Sequence, residues 1–365
     1  VPEPLLRTGA VLETEGPDAG VAAHYGSPTR EQRRLLMGRA LVDLGQFEML
    51  EVSGPDARRW LTTVTSQVLE GTEVGSSARL AVLTPKGRVE HLADAVITAD
   101  DAVLLILDHG CRAPLRSYLE SMLFAARVEL ADRNDLRVLG GVHPAAQIRP
   151  ELEAVTVFRD DWPQVAAGGV PYGPDPEDPV GVVLSVVDDA AARALPWEPD
   201  QLAGMLAWEA LRIADHRPRA TAEVDERTIP HELDLLRQWV HTAKGCYRGQ
   251  ETVAKVLNLG QPPRRLVMLH LDGSQDVPLR AGGAVLLGGA DGKNVGRVTS
   301  VGTHADLGPI ALAVIKRAVP VDAPLSVQMS LGTDGGEEQI AVVDAAQEPV
   351  VLPRDHGERP ATARL

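Results

Sequence analysis

Aromatic side chains are scarce. Trp, Tyr and Phe together make up 3% of the 365 residues, so any core must be built from Val, Leu, Ile and Ala. Cysteine is nearly absent, with Cys111 and Cys246 the only two. Two thiols exclude a disulfide framework and fit a reducing compartment, so a cytoplasmic location is expected. No cluster supplies the three or four ligands of a closed metal site, so no stably bound metal is expected. Apolar runs are short, as in Ala102 to Leu107 (AVLLIL). None approaches the roughly 20 residues that span a bilayer. The first residues are acidic in part and lack a long apolar stretch, so they do not read as a secretory signal. A basic excess is missing too. Lys plus Arg number 36 against 51 Asp plus Glu, a formal charge of −15. Neither nucleic acid nor an anionic membrane is expected to bind through a general basic surface.

What is present is globular material. Hydrophobic residues reach 44% and charged residues 24%, which excludes disorder of the whole chain. The length allows two or three domains. Residues 1–39 read as an arm or a leading strand with loops, and order is expected from near Ala40 onward. Gln46 to Val52 reads as a strand. Ser53 or Asp56 and Pro55 suit a helix start, and Ala57, Trp60, Leu61, Val64 and Val68 follow one helical face. Arg79–Leu83, Val89–Thr98 and Val103–Leu107 read as strands, with Thr84–Gly87 as a turn. Pro114 opens a helix whose face is Leu115, Leu119, Met122, Leu123 and Ala126. This order suggests helices on one side of a mainly antiparallel sheet.

A second α+β unit is expected over about 137–216. It holds a strand at Val182–Val187 and a helix from near Asp200 through Leu202, Met205, Leu206, Glu209 and Ile213. Gly168–Pro179 is a loop by composition. Residues 217–262 are the least periodic and most polar. Six short strands follow, punctuated by Gly-rich turns: Leu266–Leu271, Ala284–Leu287, Val295–Val301, Ile310–Lys316, Leu325–Met329 and Ile340–Val343. They predict a small antiparallel barrel or sandwich. The domain expectation is therefore an arm (1–39), a core of two units (40–262), a barrel (263–350) and a tail (351–365).

The most unusual stretch is Lys244-Gly-Cys-Tyr-Arg-Gly-Gln-Glu251. Its glycines permit special backbone conformations and close approach to a ligand. Lys244 and Arg248 are cations placed to stabilise a thiolate at Cys246. The other reading is a tight turn with Cys246 buried as a small hydrophobe. Asp225-Glu-Arg-Thr-Ile-Pro-His-Glu232 gathers acids, an Arg and a His, which suits either a polar heterocycle or a solvated loop. His241 precedes Cys246 by five residues, so a Cys–His pair is conceivable, while Trp239 reads as core. Cys111 sits at a probable helix start, where a depressed pKa competes with a packing role. Gly288–Lys293 lacks the spacing of a phosphate loop and reads as a hairpin turn, and no dinucleotide fingerprint is present.

The Lys244–Glu251 stretch resembles the signature of the YgfZ-type folate-binding proteins, which support maturation of certain iron–sulfur enzymes. They form a branch of the glycine-cleavage T-protein (aminomethyltransferase) superfamily. Val42-Asp-Leu44 with Glu51–Ala57, Glu209–Ile213, Thr228–Glu232, Gly296–Ser300 and Gly308–Ala313 resemble other parts of that superfamily, so the likeness covers about 40–320. It implies an α+β fold: a three-domain ring with two interleaved ferredoxin-like α+β units and a C-terminal antiparallel β-barrel. It also implies tetrahydrofolate, or a one-carbon derivative, in the central hole, with iron–sulfur client or assembly proteins as partners.

On this resemblance Cys246 carries the chemistry, Tyr247 stacks on the folate, and Gln250 or Glu251 meets its polar edge. Lys244, Gly245, Arg248 and Gly249 complete the loop. Two departures stand out. The superfamily hairpin with a folate-orienting Asp reads Lys86-Gly-Arg-Val-Glu-His-Leu92 here, with Asp94 further on. The acid of its central helix is replaced by Ala214, with Asp215 one position late. Glu90, Asp215, Glu226 and Glu232 are the carboxylates available to bind the pterin edge instead. The expected function is a reduced-folate-binding accessory factor for iron–sulfur enzymes. The alternatives are a tetrahydrofolate-dependent aminomethyltransferase and a docking scaffold without chemistry.

Overall fold

The computed structural model describes residues 3–6, 8–274, 277–334 and 337–353. Its first sheet is antiparallel and runs in the order Ser77–Leu83, Val89–Ala99, Ala102–Leu107, Glu48–Ser53, Glu129–Asp132. Alternation along these strands divides their side chains between two faces. Leu50, Val52, Leu80, Val82 and Leu105 share a core with Ala57, Trp60, Leu61 and Val64 of the helix Ala57–Val64, and with Leu115 and Leu119 of the helix Arg112–Ser121. The first helix stops earlier than the apolar spacing suggests. Thr65 is extended and its hydroxyl donates to the Leu61 carbonyl, so Val68 falls outside.

The second sheet has the order Ala154–Asp160, Val182–Asp188, Leu136–Gly141, Leu41–Asp43, Leu202–Ala203. The chain contributes Leu41–Asp43 to it, leaves to build the whole first sheet, and returns at Leu136. The two units are therefore interleaved. The faces turned toward each other merge in one core of Met49, Val96, Leu104 and Ile106 with Val42, Val138, Leu184 and Val186. The helix Met205–Ala214 packs on it through Met205, Ala207 and Leu211.

Six antiparallel strands close the C-terminal barrel in the order Arg264–Leu271, Gly308–Lys316, Lys293–His304, Ala284–Leu287, Leu325–Asp334, Glu337–Pro349. Val267, Leu269 and Leu271 point into its core, while Leu266 and Met268 point out toward the rest of the protein. There they meet Leu233, Leu235, Leu236, Trp239 and Val240.

Four sequence readings are corrected. Residues before Ala40 are ordered: Ala22–His24 is a strand, Pro28–Leu36 is a helix, and Val21, Ala22, Ala23 and Leu35 are buried. The helix expected from Asp200 begins at Met205. Leu202 instead pairs in parallel with Leu41, and Gly204 lies so close to the Ala23 backbone that a side chain does not fit there. Within 217–262, residues 228–240 are almost all buried, and there short 3-10 turns and side-chain bonds replace regular structure, such as Arg237 Nε donating to Asp234; Ala220–Glu223 and Gln250–Leu259 are helices. In the expected tail, Val351 is buried and Leu352 N donates to Tyr172 O. The rest, from residue 354, lies outside the described residues.

Candidate functional site

The Lys244–Glu251 loop is fastened from below and open above. Helix Ala57–Val64 ends by turning its last carbonyls outward, where a cation satisfies them. Lys244 supplies it. Its ammonium donates to the carbonyls of Thr62, Thr65 (2.5 Å) and Gln67 (3.4 Å). Burial lowers the Lys244 pKa to about 8. Tyr247 is buried beneath that ammonium, 5.4 Å from ring centre to Nζ, and burial raises its phenol to about 12. Gly249 has φ of +83°, and a Cβ there would lie 2.6 Å from Thr84 O and 2.9 Å from Gly87 Cα. Glycine is what allows the loop to seat on the 84–88 turn.

Helix Gln250–Leu259 then begins, with Gln250 Nε2 donating to Lys244 O. Arg248 pairs with Glu90 at 3.0 Å and lies over the Tyr118 ring at 5.6 Å. Gly245 has open space around it, and Cys246 is exposed. The cationic heads of Lys244 and Arg248 are thus held by carbonyls and by Glu90. Among the described residues neither makes a hydrogen bond to the thiol.

Other candidates fall elsewhere. His241 N donates to Ser66 O and its ring lies against Gly168, with no bond to Cys246. Glu232 is fully buried and holds Arg264 through both oxygens, at 2.9 and 2.7 Å. Glu226 is exposed. Asp215 is buried, accepts from Val180 N and pairs with Arg217 at 2.9 Å; burial raises it to about 6. Glu251 is exposed on the first turn of its helix. Cys111 is the N-cap of Arg112–Ser121, yet burial and the carboxylates of Asp108 and Glu48 push its thiol up to about 11. Cys111 packs against the core of the first sheet, the packing role of the two the sequence offers.

The interior of the ring holds a cavity of about 120 Å3 where the two sheets and the helix Met205–Ala214 meet. Phe47, Phe158, Trp208 and Trp239 supply aromatic walls. Charged walls come from Arg79, Arg217 and Arg219 with Asp94, Asp108 and Asp160. Almost all of this charge is internally paired. Arg79 bonds Asp94 (3.0 Å), Asp160 (2.8 Å) and Gln238 (2.5 Å), and stacks on Trp239 at 4.5 Å. Asp160 works against its burial and is held below the usual carboxylate range by Arg79 and Arg217. Asp108 accepts from Arg219 through one oxygen and from Thr221 through the other. Asp94 differs. Arg79 engages its Oδ1, and its Oδ2 has no partner among the described residues. Burial, helped by Asp160, pushes it up to about 6 against the pull of Arg79. None of the residues expected to contact folate lines this cavity; Asp94 and Trp239 were noticed in other connections. Arg79, third in the strand Ser77–Leu83, and Asp160, last in Ala154–Asp160, are site residues that no sequence motif marks.

Among the described residues no group of three or more His, Cys, Asp or Glu is placed to hold a metal ion. No helix of the described residues is long and apolar enough to cross a membrane.

No protein-family model matches the chain. A chloroplastic protein of Arabidopsis thaliana named as a transferase is 27% identical over 77% of this chain and 66% of its own length. The tRNA-modifying protein YgfZ of Colwellia psychrerythraea is 25% identical over 63% and 71%. A mitochondrial homologue of the iron–sulfur cluster assembly factor IBA57 from Neurospora crassa is 22% identical over 67% and 59%. The chain thus spans 66% of the first and 59% of the third of these relatives, less than two thirds of either. Among solved structures, glycine cleavage system aminomethyltransferase T of Bartonella henselae superposes with a TM-score of 0.69, at 18% identity, over 95% of this chain and 96% of that one. The fold is the T-protein ring, and in sequence the chain is similar to a YgfZ protein and to an IBA57 homologue.

Proposed function

We propose that this protein is a reduced-folate-binding accessory factor that supports assembly or repair of iron–sulfur enzymes. The observation that carries the reading is the ring cavity. It offers aromatic walls to a flat heterocycle and one carboxylate oxygen, Asp94 Oδ2, left free to accept from it. A pterin ring has a flat face for the aromatics and N–H groups for the carboxylate. Asp94 lies on the same strand as Glu90, further inside the ring. The folate, when bound, carries the one-carbon unit. Asp94 orients its head, and the Arg79 guanidinium fixes Asp94 in place.

The second element is Cys246. Its loop presents an exposed thiol from a rigid seat, which suits contact with a client protein or its cluster. One thiol does not hold a cluster by itself, so a cluster there is shared with a partner. The names of the Neurospora and Colwellia relatives support the iron–sulfur and YgfZ-type part of the reading.

Anaerobic calorimetric titration with tetrahydrofolate and 5-formyltetrahydrofolate tests it. Saturable micromolar binding, weakened about tenfold or more in Asp94→Asn, is expected. No binding of either form, or full affinity in Asp94→Asn, would overturn the assignment. Cys246→Ser is expected to bind folate normally and to fail in restoring client enzyme activity in cells. Full restoration would remove the thiol from the mechanism.

A further inference from the structure

The helix Pro28–Leu36 is held to the protein by one face. Leu35 is buried. Gln32 donates to Thr303 O and accepts from Ala305 N, and Glu31 accepts from the N–H groups of Tyr25, Ser27 and Gly204. The outward face differs in character. Arg30 and Arg33 are exposed there, Met37 follows at 63% exposure, and exposed Arg39 lies just beyond the helix end. Among the described residues the guanidinium groups of Arg30, Arg33 and Arg39 have no hydrogen-bond or ion-pair partner.

Helix stability does not account for this set. Cations in a last turn complement the helix dipole, which covers Arg33 and Arg34. Arg30 sits in the first turn, where the same dipole disfavours a cation. On a chain with a formal charge of −15, these unpaired guanidinium groups are a local reversal of sign. A cleft of about 620 Å3 runs along the flank of the helix, with Arg30 and Arg34 on one wall and residues 198–200 on the other. Arg34 Nη2 donates to the carbonyls of Pro199 and Leu202, but its Nε is buried without a partner, and so is the Tyr25 hydroxyl in the same wall. Apolar side chains accompany the charge. Leu36 is exposed one turn on from Gln32, and Leu307 is exposed on the hairpin that Gln32 bonds.

We propose that this helix face and its cleft dock an acidic segment of a partner protein, whose carboxylates pair with Arg30 and Arg33 and whose apolar side chain covers Met37. The guanidinium fork matches a carboxylate, and a methionine adapts to the side chain laid against it. The cleft argues for a protein over a polyanion. Glu198 and Asp200 stand in its far wall. A nucleic-acid backbone or an anionic bilayer would meet those acids along with the arginines, whereas a segment with a few placed carboxylates avoids them. The surface is separate from the ring cavity and from Cys246, so it stands or falls apart from the folate reading.

The test is fluorescence anisotropy at low ionic strength. The probe is a rhodamine-labelled synthetic peptide of alternating glutamate, leucine and serine. Its lysine counterpart, a uridine oligonucleotide and phosphatidylserine-containing vesicles serve as rivals. The acidic peptide is expected to bind saturably, with Kd of about 100 μM or tighter. Arg30→Gln combined with Arg33→Gln is expected to weaken it about tenfold, and Met37→Ser about threefold. Lys86→Gln combined with Lys255→Gln makes the same change of charge at exposed positions elsewhere and is expected to leave the affinity unchanged. Circular dichroism melts check that each variant folds. Absence of saturable peptide binding, tighter binding of the oligonucleotide or the vesicles, or equal losses in the two double variants would overturn the docking face. Full affinity in Met37→Ser would overturn its apolar part.

Discussion

The Cys246 loop and the ring cavity handle charge in opposite ways. In the loop, cations are tied to backbone carbonyls and to one surface acid, and the Cys246 thiol stands clear in solvent. In the cavity, cations and acids lock together out of water and leave a single carboxylate oxygen facing inward. The first arrangement holds a mobile surface segment still. The second fixes the shape of a buried space. Both place their ion pairs around the functional atom and leave that atom free, so charged residues near a site are not by themselves its chemistry.

Substitutions can pull this contrast apart. The largest effect is expected in the cavity. Asp160→Ala strands the guanidinium groups of Arg79 and Arg217 in the interior, at a cost of about 3–5 kcal/mol. Urea denaturation should show this as a fall in midpoint; a loss below about 1 kcal/mol would mean that water reaches the pair. In the loop, Gly249→Ala forces a side chain into the left-handed region and against backbone, costing about 1–3 kcal/mol. Gly245→Ala, with open space around it, should cost less than about 0.5 kcal/mol. Equal losses at the two glycines would refute the seat described for the loop.

Lys244→Met should cost about 1–2 kcal/mol by leaving the helix-end carbonyls without their donor. It should leave the pH profile of Cys246 alkylation in place, because the ammonium is aimed at carbonyls. A large upward move of that profile would restore Lys244 as the activator of the thiol.

The smallest effect concerns pH. Asp94 binds N–H donors when ionised, and its folded pKa is raised to about 6. Folate affinity should therefore be level above neutrality and fall by about tenfold per unit well below pH 6, a step that Asp94→Asn removes. The same raised pKa means the folded protein holds this proton more tightly than the unfolded chain. Its contribution to stability is thus greatest below about pH 4 and is lost as pH rises through 6.

Much of the fold was legible because it is periodic. The AVLLIL strand, the Trp60–Val64 helix face and the six barrel strands all lie where apolar spacing puts them. The ring itself came from a family resemblance, since periodicity says nothing about how sheets interleave. The N-terminal helix was missed because Pro28–Leu36 is mostly polar, with Glu31 and Gln32 buried through bonds to distant backbone. In the site, the Cys246 loop was visible as odd composition. The cavity was not. Arg79 and Asp94 face each other across one hairpin of the first sheet, while Asp160 comes from the second, so only the interleaving of the sheets brings all three together.

That interleaving also sets a timetable. Leu41–Asp43 leaves the ribosome early, yet its sheet neighbours are Leu136–Gly141 and Leu202–Ala203. At roughly 5–20 residues per second, several seconds pass before the first partner emerges. Through that interval a short apolar segment waits unpaired while an entire sheet is synthesised between it and its neighbour. A nascent chain of this architecture is accordingly one that holding chaperones should contact while Leu41–Asp43 waits, and one in which translation slowed once Leu136–Gly141 has cleared the ribosome would favour correct pairing.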